Sequence, residues 1–152
     1  MTVDLDAVDR QLLALLLSDG RRSYADLARE TGLSTSAAHQ RVRRLESRGV
    51  ITGYRAQISP DAIGLPLAAF VSVKPIDPAA PDDAPERLRD LDAVEACHSV
   101  AGEESYILQV RVGGPAELEV LLQDIRAAAG VSTRTTVVLS TPWQDRTAPP
   151  RG

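Results

Sequence analysis

Apolar residues in the first part of the chain recur at the spacing of an α-helix. Four of them lie three or four residues apart, at Leu5, Val8, Leu12 and Leu16. Acidic residues stand at the start of this segment and Gly20 follows it, as expected for the two ends of a helix. The pattern predicts a first amphipathic helix that ends near Gly20.

Two shorter helical segments follow the first. SYADLARETG begins with a capping candidate, Ser23, and ends at Gly32. LSTSAAHQRVRRLESRG begins at a capping Ser34 and ends at Gly49. A tight turn that contains glycine joins these two segments at residues 31–33, which is typical of a helix-turn-helix.

The pattern then changes toward β-structure. Residues 50–58, VITGYRAQI, are β-prone and predict a wing or a connecting strand. From residue 67 the predicted order is LAAFVSVKP (strand), ERLRDLDA (helix), VEACHSVAG and SYILQVRVGG (strands), PAELEVLLQDIRAAAG (helix) and VSTRTTVVL (strand). This β-α-β-β-α-β order predicts a ferredoxin-like domain.

The predicted fold is therefore α+β, with an N-terminal three-helix winged helix-turn-helix and a C-terminal ferredoxin-like βαββαβ domain. The predicted boundaries are the helix-turn-helix over 1–50, a wing or linker strand over 51–66, the ferredoxin-like domain over 67–142 and a flexible tail over 143–152. Two helices on one face of a four-stranded sheet leave its other face open. A second copy of the chain is the predicted cover.

The third helical segment has two distinct faces. Ala38, Val42 and Leu45 share one stripe of a helical wheel, which predicts burial against the other two helices. The opposite stripe carries hydroxyl, amide, imidazole and guanidinium groups, which can hydrogen-bond base edges and phosphates in a major groove. A solvated helix face is the alternative, and the helix-turn-helix spacing disfavours it. The candidate DNA-binding residues are Ser34, Thr35, Ser36, His39, Gln40, Arg43 and Arg44.

Three arginines of this segment have different predicted roles. Arg43 faces outward at the centre of the polar stripe, which favours a base contact, and Arg44 lies on its flank, which favours a phosphate. Arg41 falls at the edge of the apolar stripe, where a lone charge is costly. We expect it to pair with Asp9 or Glu30 of the first two helices; a phosphate contact is the alternative.

The two halves of the chain differ in charge. The net charge of −4 argues by itself against nucleic-acid binding. Residues 1–59, however, hold nine Arg against seven acidic residues, a net charge of +2, whereas residues 60–152 hold eight basic against fourteen acidic residues, a net charge of −6. The basic half contains the helix-turn-helix pattern, so double-stranded DNA is the predicted partner.

The chain resembles the leucine-responsive regulatory protein/AsnC (Lrp/AsnC) transcription factors over about residues 4–140. The N-terminal resemblance runs from LDAVDRQLLALLL through GLSTSAAHQRVRRLESRGVITGYRAQISPDAIG, and the C-terminal resemblance lies in VEACHSVAGEESYILQVRV and GVSTRTTVVLS. The resemblance implies a DNA-binding regulator that dimerises through its sheet, often assembles to an octamer, and responds to an amino acid or a related metabolite.

The resemblance also implies an effector loop at residues 101–107, AGEESYI. Ser105 stands where family members frequently carry an aspartate, whose carboxylate would suit an ammonium group. Glu103 or Glu104 is a possible substitute, with a solvated turn as the alternative. The effector-binding residues that the resemblance implies are Val100, Gly102, Glu103, Glu104, Ser105, Tyr106, Thr133 and Thr135.

Other features of the sequence disfavour an enzyme. A glycine-rich phosphate loop, a Cys/His metal spacing and a nucleophile motif are all absent, so we expect neither catalysis nor a cofactor. Cys97, the single cysteine, is predicted to be a packed thiol, and His98 to pack in a sheet interface. Neither a signal peptide nor a membrane span is evident, which predicts a soluble cytoplasmic protein with no membrane partner. The remaining alternative is an oligomeric metabolite sensor whose helix-turn-helix binds protein instead of DNA.

Overall fold

The structure is a computed structural model that describes residues 4–144. Five α-helices and four strands occur within this range, together with a short 3-10 turn at Asp61–Ile63. In chain order they are α1 (Ala7–Ser18), α2 (Tyr24–Thr31), α3 (Thr35–Ser47), β1 (Leu67–Pro75), α4 (Ala84–Leu88), β2 (Val94–Ser99), β3 (Tyr106–Val112), α5 (Pro115–Ala129) and β4 (Val131–Val137). They form two compact units, which divide between residues 57 and 58, with residues 143–144 assigned to the first. Most of the predicted tail lies outside the described residues.

Local sequence determines the ends of the three N-terminal helices. The side chains of Asp6, Ser23 and Ser34 cap α1, α2 and α3, each accepting a hydrogen bond from a backbone N–H three residues later. These bonds satisfy N–H groups that have no partner inside the helix. Gly32 ends α2 in the left-handed conformation, with φ of 70°, which glycine adopts without steric cost. The predicted helix-turn-helix is confirmed.

The core of the first unit lies where the three helices meet. The predicted apolar stripe of α3 is buried: Ala38 is 0% exposed, and Val42 and Leu45 are each 1% exposed. Ala38 and Val42 pack in one cluster with Leu12 of α1 and Leu27 of α2. The remaining face of α3 is consequently left for solvent or a partner.

The prediction of a wing or strand over residues 50–58 is wrong for the single chain, since the described structure has no strand before residue 67. A β-prone segment needs a neighbouring strand for its backbone hydrogen bonds, and the first unit consists of helices. Tyr54 instead packs beside Gly20, and its hydroxyl donates to Glu46 at 2.9 Å.

The second unit is a four-stranded antiparallel sheet with strand order β2-β3-β1-β4, which is the predicted ferredoxin-like topology. Two predicted elements end earlier than expected. The α4 helix begins at Ala84, because Pro85 suits the first turn of a helix, and it ends at Leu88. Strand β2 ends at Ser99, and residues 100–105 form the loop to β3.

Both helices of the second unit cover the same face of the sheet. Alternate residues of β1 and β3 are buried beneath Leu88 of α4 and Leu121 and Ile125 of α5. The opposite face carries Phe70 and Arg134, which are exposed, and no helix or strand of the second unit, residues 58–142, covers it.

Two smaller predictions fall on β2, which is an edge strand. Cys97 is exposed, so its prediction as a packed thiol is wrong: the edge position leaves one side of the strand uncovered. Partial desolvation and the charge of Glu86 nevertheless raise the pKa of the Cys97 thiol. His98 pairs with Ile107 on the open face and is exposed in the single chain.

Candidate nucleic-acid interface and ligand cleft

The outer face of α3 presents the predicted polar stripe to solvent. Gln40 and Arg43 are exposed, and no hydrogen bond or ion pair holds either side chain within residues 4–144. Six of the seven predicted DNA-binding residues are exposed, namely Ser34, Thr35, Ser36, Gln40, Arg43 and Arg44. This face of one helix thus offers hydrogen-bond donors and acceptors on side chains of several lengths.

Three members of this set, all in the first half of α3 or its cap, also contact other residues of the first unit. The Ser34 hydroxyl accepts from the Ala37 N–H at 3.2 Å and lies 3.2 Å from the Ser36 hydroxyl. His39 is half-buried, and its ring packs edge-to-face on Tyr24 with ring centroids 4.6 Å apart. These contacts fix the first two turns of α3 and the direction of the imidazole.

An ion cluster joins α3 to α1. Asp9, only 2% exposed, accepts from Arg41 Nη1 at 3.0 Å and from Arg44 Nη2 at 2.8 and 3.0 Å. The Asp6 carboxylate accepts a further bond from Arg41 Nη1 at 2.5 Å. The Arg41 guanidinium is therefore the main cause that lowers the pKa of Asp6 below its ordinary value.

The cluster confirms one prediction and changes another. Arg41 pairs with Asp9, as expected, and not with Glu30, whose backbone carbonyl instead accepts from Gln11. Arg44, expected to be free for a phosphate, is bonded to the same buried carboxylate. The sequence contained an indication of this contact. Arg41 and Arg44 are three residues apart on α3 and therefore share a face of the helix, which can meet one acidic neighbour on α1.

The predicted effector loop follows β2. Its ends are held by backbone bonds from the Val100 N–H to the Ser105 carbonyl, at 3.2 Å, and from the Ser105 N–H to the Val73 carbonyl, at 3.0 Å. Glu103 and Glu104 are thereby brought to the open face of the sheet, near Arg134, whose guanidinium donates to the Glu104 carboxylate.

A cleft of about 230 Å³ lies between this loop and strands β1 and β4. Its charged groups are Lys74, the one lysine of the chain, together with Arg134 and the two loop glutamates. The residues that line it are Ser72, Lys74, Glu103, Glu104, Ser132, Thr133 and Arg134. Both signs of charge within one small cleft suit a zwitterionic ligand.

The structure brings together only part of the predicted effector set. Glu103, Glu104 and Thr133 line the cleft; the other five, Val100, Gly102, Ser105, Tyr106 and Thr135, do not. Tyr106 is 8% exposed and lies on the helix side of β3. Its hydroxyl donates to Asp82 at 2.7 Å, a bond that raises the pKa of Tyr106 to about 12.

Sequence reasoning missed four cleft residues: Ser72, Lys74, Ser132 and Arg134. They lie on two strands that are far apart in sequence but paired in the sheet, with Ser72 opposite Arg134 and Lys74 opposite Ser132. The sequence does indicate their position. Successive side chains of a strand point to opposite faces of the sheet, and all four residues fall on the face that the helices leave open.

Residues 4–144 offer neither a metal site nor a membrane-spanning helix. No cluster of His, Cys, Asp and Glu side chains there could hold a metal ion. No helix in that range is long and apolar enough to cross a membrane.

Known proteins match this chain in both units. The model of the AsnC-type helix-turn-helix domain matches residues 5–46, and that of the Lrp/AsnC ligand binding domain matches residues 68–148. The HTH-type transcriptional regulator LrpA of Mycobacterium tuberculosis is 54% identical over 146 residues, which are 96% of this chain and 97% of LrpA. The leucine-responsive regulatory protein of Escherichia coli K12 is 36% identical over 90% of this chain and 85% of its own length.

A solved structure extends the comparison to a ligand complex. The feast or famine regulatory protein of M. tuberculosis, complexed with L-methionine, superposes with a TM-score of 0.94 at 54% identity, covering 97% of this chain and all of that one. Matched domains in the same order and a shared fold over nearly the whole length carry the assignment. The chain belongs to the Lrp/AsnC family of transcriptional regulators.

Proposed function

We propose that this regulator binds operator DNA through the outer face of α3 and responds to an amino acid or a related metabolite. The observation that supports the DNA contact is the division of α3. One stripe is buried in the helical core, and the opposite stripe exposes unpaired hydrogen-bonding groups. Such a helix can enter a major groove without disturbing its own packing.

The contacts divide by chemistry. Gln40 and Arg43 lie at the centre of the exposed stripe, and an amide and a guanidinium can each make two hydrogen bonds to a purine edge. Thr35, Ser36 and the half-buried His39 flank them with shorter side chains. In this proposal Arg44 lies at the edge of the contact, where the phosphates are.

Fluorescence anisotropy with the DNA upstream of the protein's own gene tests the DNA-binding function. We expect tight binding that exceeds binding to a random duplex of equal length by about a thousandfold or more. Equal affinity for the two duplexes at every salt concentration would contradict sequence-specific recognition. The absence of any DNA binding would favour the protein-interaction alternative for the helix-turn-helix.

For the effector we propose the cleft on the open face of the sheet. Lys74 supplies a cation for a carboxylate, and Glu103, whose carboxylate forms no hydrogen bond within residues 4–144, supplies an anion for an ammonium group. The L-methionine complex of a relative supports the ligand class. The absence of an aspartate at Ser105 is then compensated from the neighbouring glutamates.

A thermal-shift screen of amino acids, beginning with L-methionine, tests the effector proposal. A ligand that binds only the folded protein raises the melting temperature. We expect Lys74→Gln and Glu103→Gln to reduce this shift, and the amide analogue of the active amino acid, which lacks the carboxylate, to give none. Arg89→Gln, which changes an exposed arginine at the end of α4, is the matched control. Equal shifts for all four proteins would place the ligand elsewhere.

We further propose that the chain forms a homodimer through the open face of the sheet. A two-fold symmetric dimer of this kind binds two DNA half-sites. Assembly to an octamer is the state that the resemblance implies. Such a regulator acts in the compartment that holds the DNA, which we propose to be the cytoplasm.

A further inference from the structure

A single buried carboxylate contacts two arginines of the recognition helix. Asp9 accepts three hydrogen bonds, one from Arg41 and two from Arg44, while its own side chain is 2% exposed. A buried carboxylate needs such partners, because burial removes it from water. Asp9 itself is too deeply buried to contact DNA.

The two arginines differ in what else they contact. Arg41 also bonds to Asp6, and its side chain is 28% exposed. Arg44 has no second acid within residues 4–144, and its side chain is 44% exposed. Only Nη2 of Arg44 is bonded, to Asp9, so that the other N–H groups of the guanidinium stay at the surface beside the polar stripe.

We propose that Asp9 is a positioning residue for DNA binding, which holds Arg44 by one nitrogen so that the rest of its guanidinium meets a phosphate. The inference rests on the proposed function, in which α3 enters the major groove. A guanidinium is a planar fork that can contact two anions at once. An arginine ordered by folding also loses less conformational freedom when DNA arrives, which favours binding.

Simple electrostatics predicts the opposite sign. Asp9→Asn removes a negative charge beneath the interface and raises the net charge of the protein by one. If the charge alone mattered, the variant would bind DNA more tightly. If Asp9 positions Arg44, the variant binds more weakly, because its arginine is no longer held.

The test is the salt dependence of binding to operator and to random DNA. The logarithm of the affinity falls with the logarithm of salt by about 0.9 for each phosphate neutralised. We expect Asp9→Asn to weaken binding to both duplexes by about two- to tenfold and to reduce the slope by about 0.9 for each α3 in contact. Arg89→Ala, which removes an exposed charge from the second unit, should leave the slope unchanged.

Arg44→Lys keeps the test decisive should Asp9→Asn fail to fold. A lysine retains the charge but has one nitrogen, which the buried Asp9 withdraws from the phosphate. We expect the same smaller slope, with a melting temperature near that of the wild type. Wild-type slope in Arg44→Lys, or wild-type or tighter binding in a folded Asp9→Asn, would overturn the inference while leaving the proposed function intact. Lack of operator binding by the wild type would instead refute the proposed function.

Discussion

The arginines of α3 have the same chemistry, yet their partners give them different roles. Arg43 is exposed and unpaired within the described residues, whereas Arg41 and Arg44 share the buried Asp9 of α1. Arg41 also pairs with Asp6, the cap residue of α1. The side chain's position on the helix decides this, since residues three apart face the same neighbour. At the scale of a residue, a formal charge therefore does not by itself identify a DNA contact.

Substitutions at the centre of the stripe test base recognition. We expect Gln40→Ala and Arg43→Ala each to cost on the order of 1–3 kcal/mol in operator binding, as for a lost bidentate base contact. Binding to random DNA should change less. Anisotropy titrations with both duplexes make the measurement, and an equal loss on the two would reassign these side chains to phosphate contacts.

Substitution of Arg41 tests a structural role. We expect Arg41→Ala to destabilise the first unit by about 1 kcal/mol or more, because it removes charged hydrogen bonds to Asp6 and Asp9. Arg43→Ala is the control and should unfold like the wild type. Urea unfolding, followed by circular dichroism, compares them, and identical midpoints would refute the structural role.

The ion pair of Arg41 with Asp6 predicts a dependence of stability on pH. Arg41, and next the Asp9 backbone N–H, lower the pKa of Asp6 below its ordinary value of 3.8. A carboxylate whose pKa is lower in the folded state stabilises the fold at pH values above its unfolded-state pKa. This stabilisation is lost as the pH falls through its folded-state pKa. We therefore expect unfolding midpoints measured from pH 5 downward to fall less steeply in Arg41→Ala than in the wild type. Parallel curves would show that the pair makes no linked contribution.

At the scale of an element, the loop between β2 and β3 places the carboxylates of Glu103 and Glu104 beside strands β1 and β4. Two backbone hydrogen bonds hold the ends of the loop, from the Val100 N–H to the Ser105 carbonyl and from the Ser105 N–H to the Val73 carbonyl. A Cβ added at Gly102 would meet no atom within 4 Å. The loop can therefore be altered without unfolding the sheet.

Substitution of this glycine tests the role of the loop. We expect Gly102→Val to remove most of the thermal shift caused by the effector, because added bulk next to Glu103 displaces the loop carboxylate that lines the cleft, while DNA binding and the melting temperature remain near those of the wild type. Gly102→Ala, which adds only a methyl group, should retain part of the response. A full response in Gly102→Val would exclude the loop from the effector site.

At the scale of the whole molecule, the sheet has one face under helices and one face open. Phe70 is 44% exposed there, beside polar and charged neighbours of β3 and β4. An aromatic residue at the centre of an uncovered sheet is typical of an association surface. The same face contains the cleft lined by Lys74 and Glu103, so a dimer that covers the face would place this cleft beside a second chain.

A charge on this face tests the dimer. We expect Phe70→Glu to shift the protein toward monomer in size-exclusion chromatography with light scattering, because a buried unpaired carboxylate is costly. Operator affinity should fall with it, since one half-site is lost. Val120→Glu is the matched control, as Val120 is 57% exposed on α5. Unchanged mass for Phe70→Glu would contradict the proposed interface.

The sequence by itself determined the features that rest on local interactions. The helix caps, the helix ends at Gly32 and Gly130 and the buried stripe of α3 all follow from neighbours within a few positions. The order of strands and helices in the second unit is also local, and it limited the topology to one arrangement. The family resemblance agreed with both.

Only the tertiary structure decided the features that depend on distant partners. The contact of Arg44 with Asp9, the turn of Tyr106 toward Asp82 and the place of Lys74 in the cleft each join positions far apart in sequence. Residues 50–58 likewise form no strand, since β-propensity gives no hydrogen bonds without a neighbour. The physical reason is common to all four. Periodicity gives the face on which a side chain lies, but which atoms meet it there depends on how the elements pack.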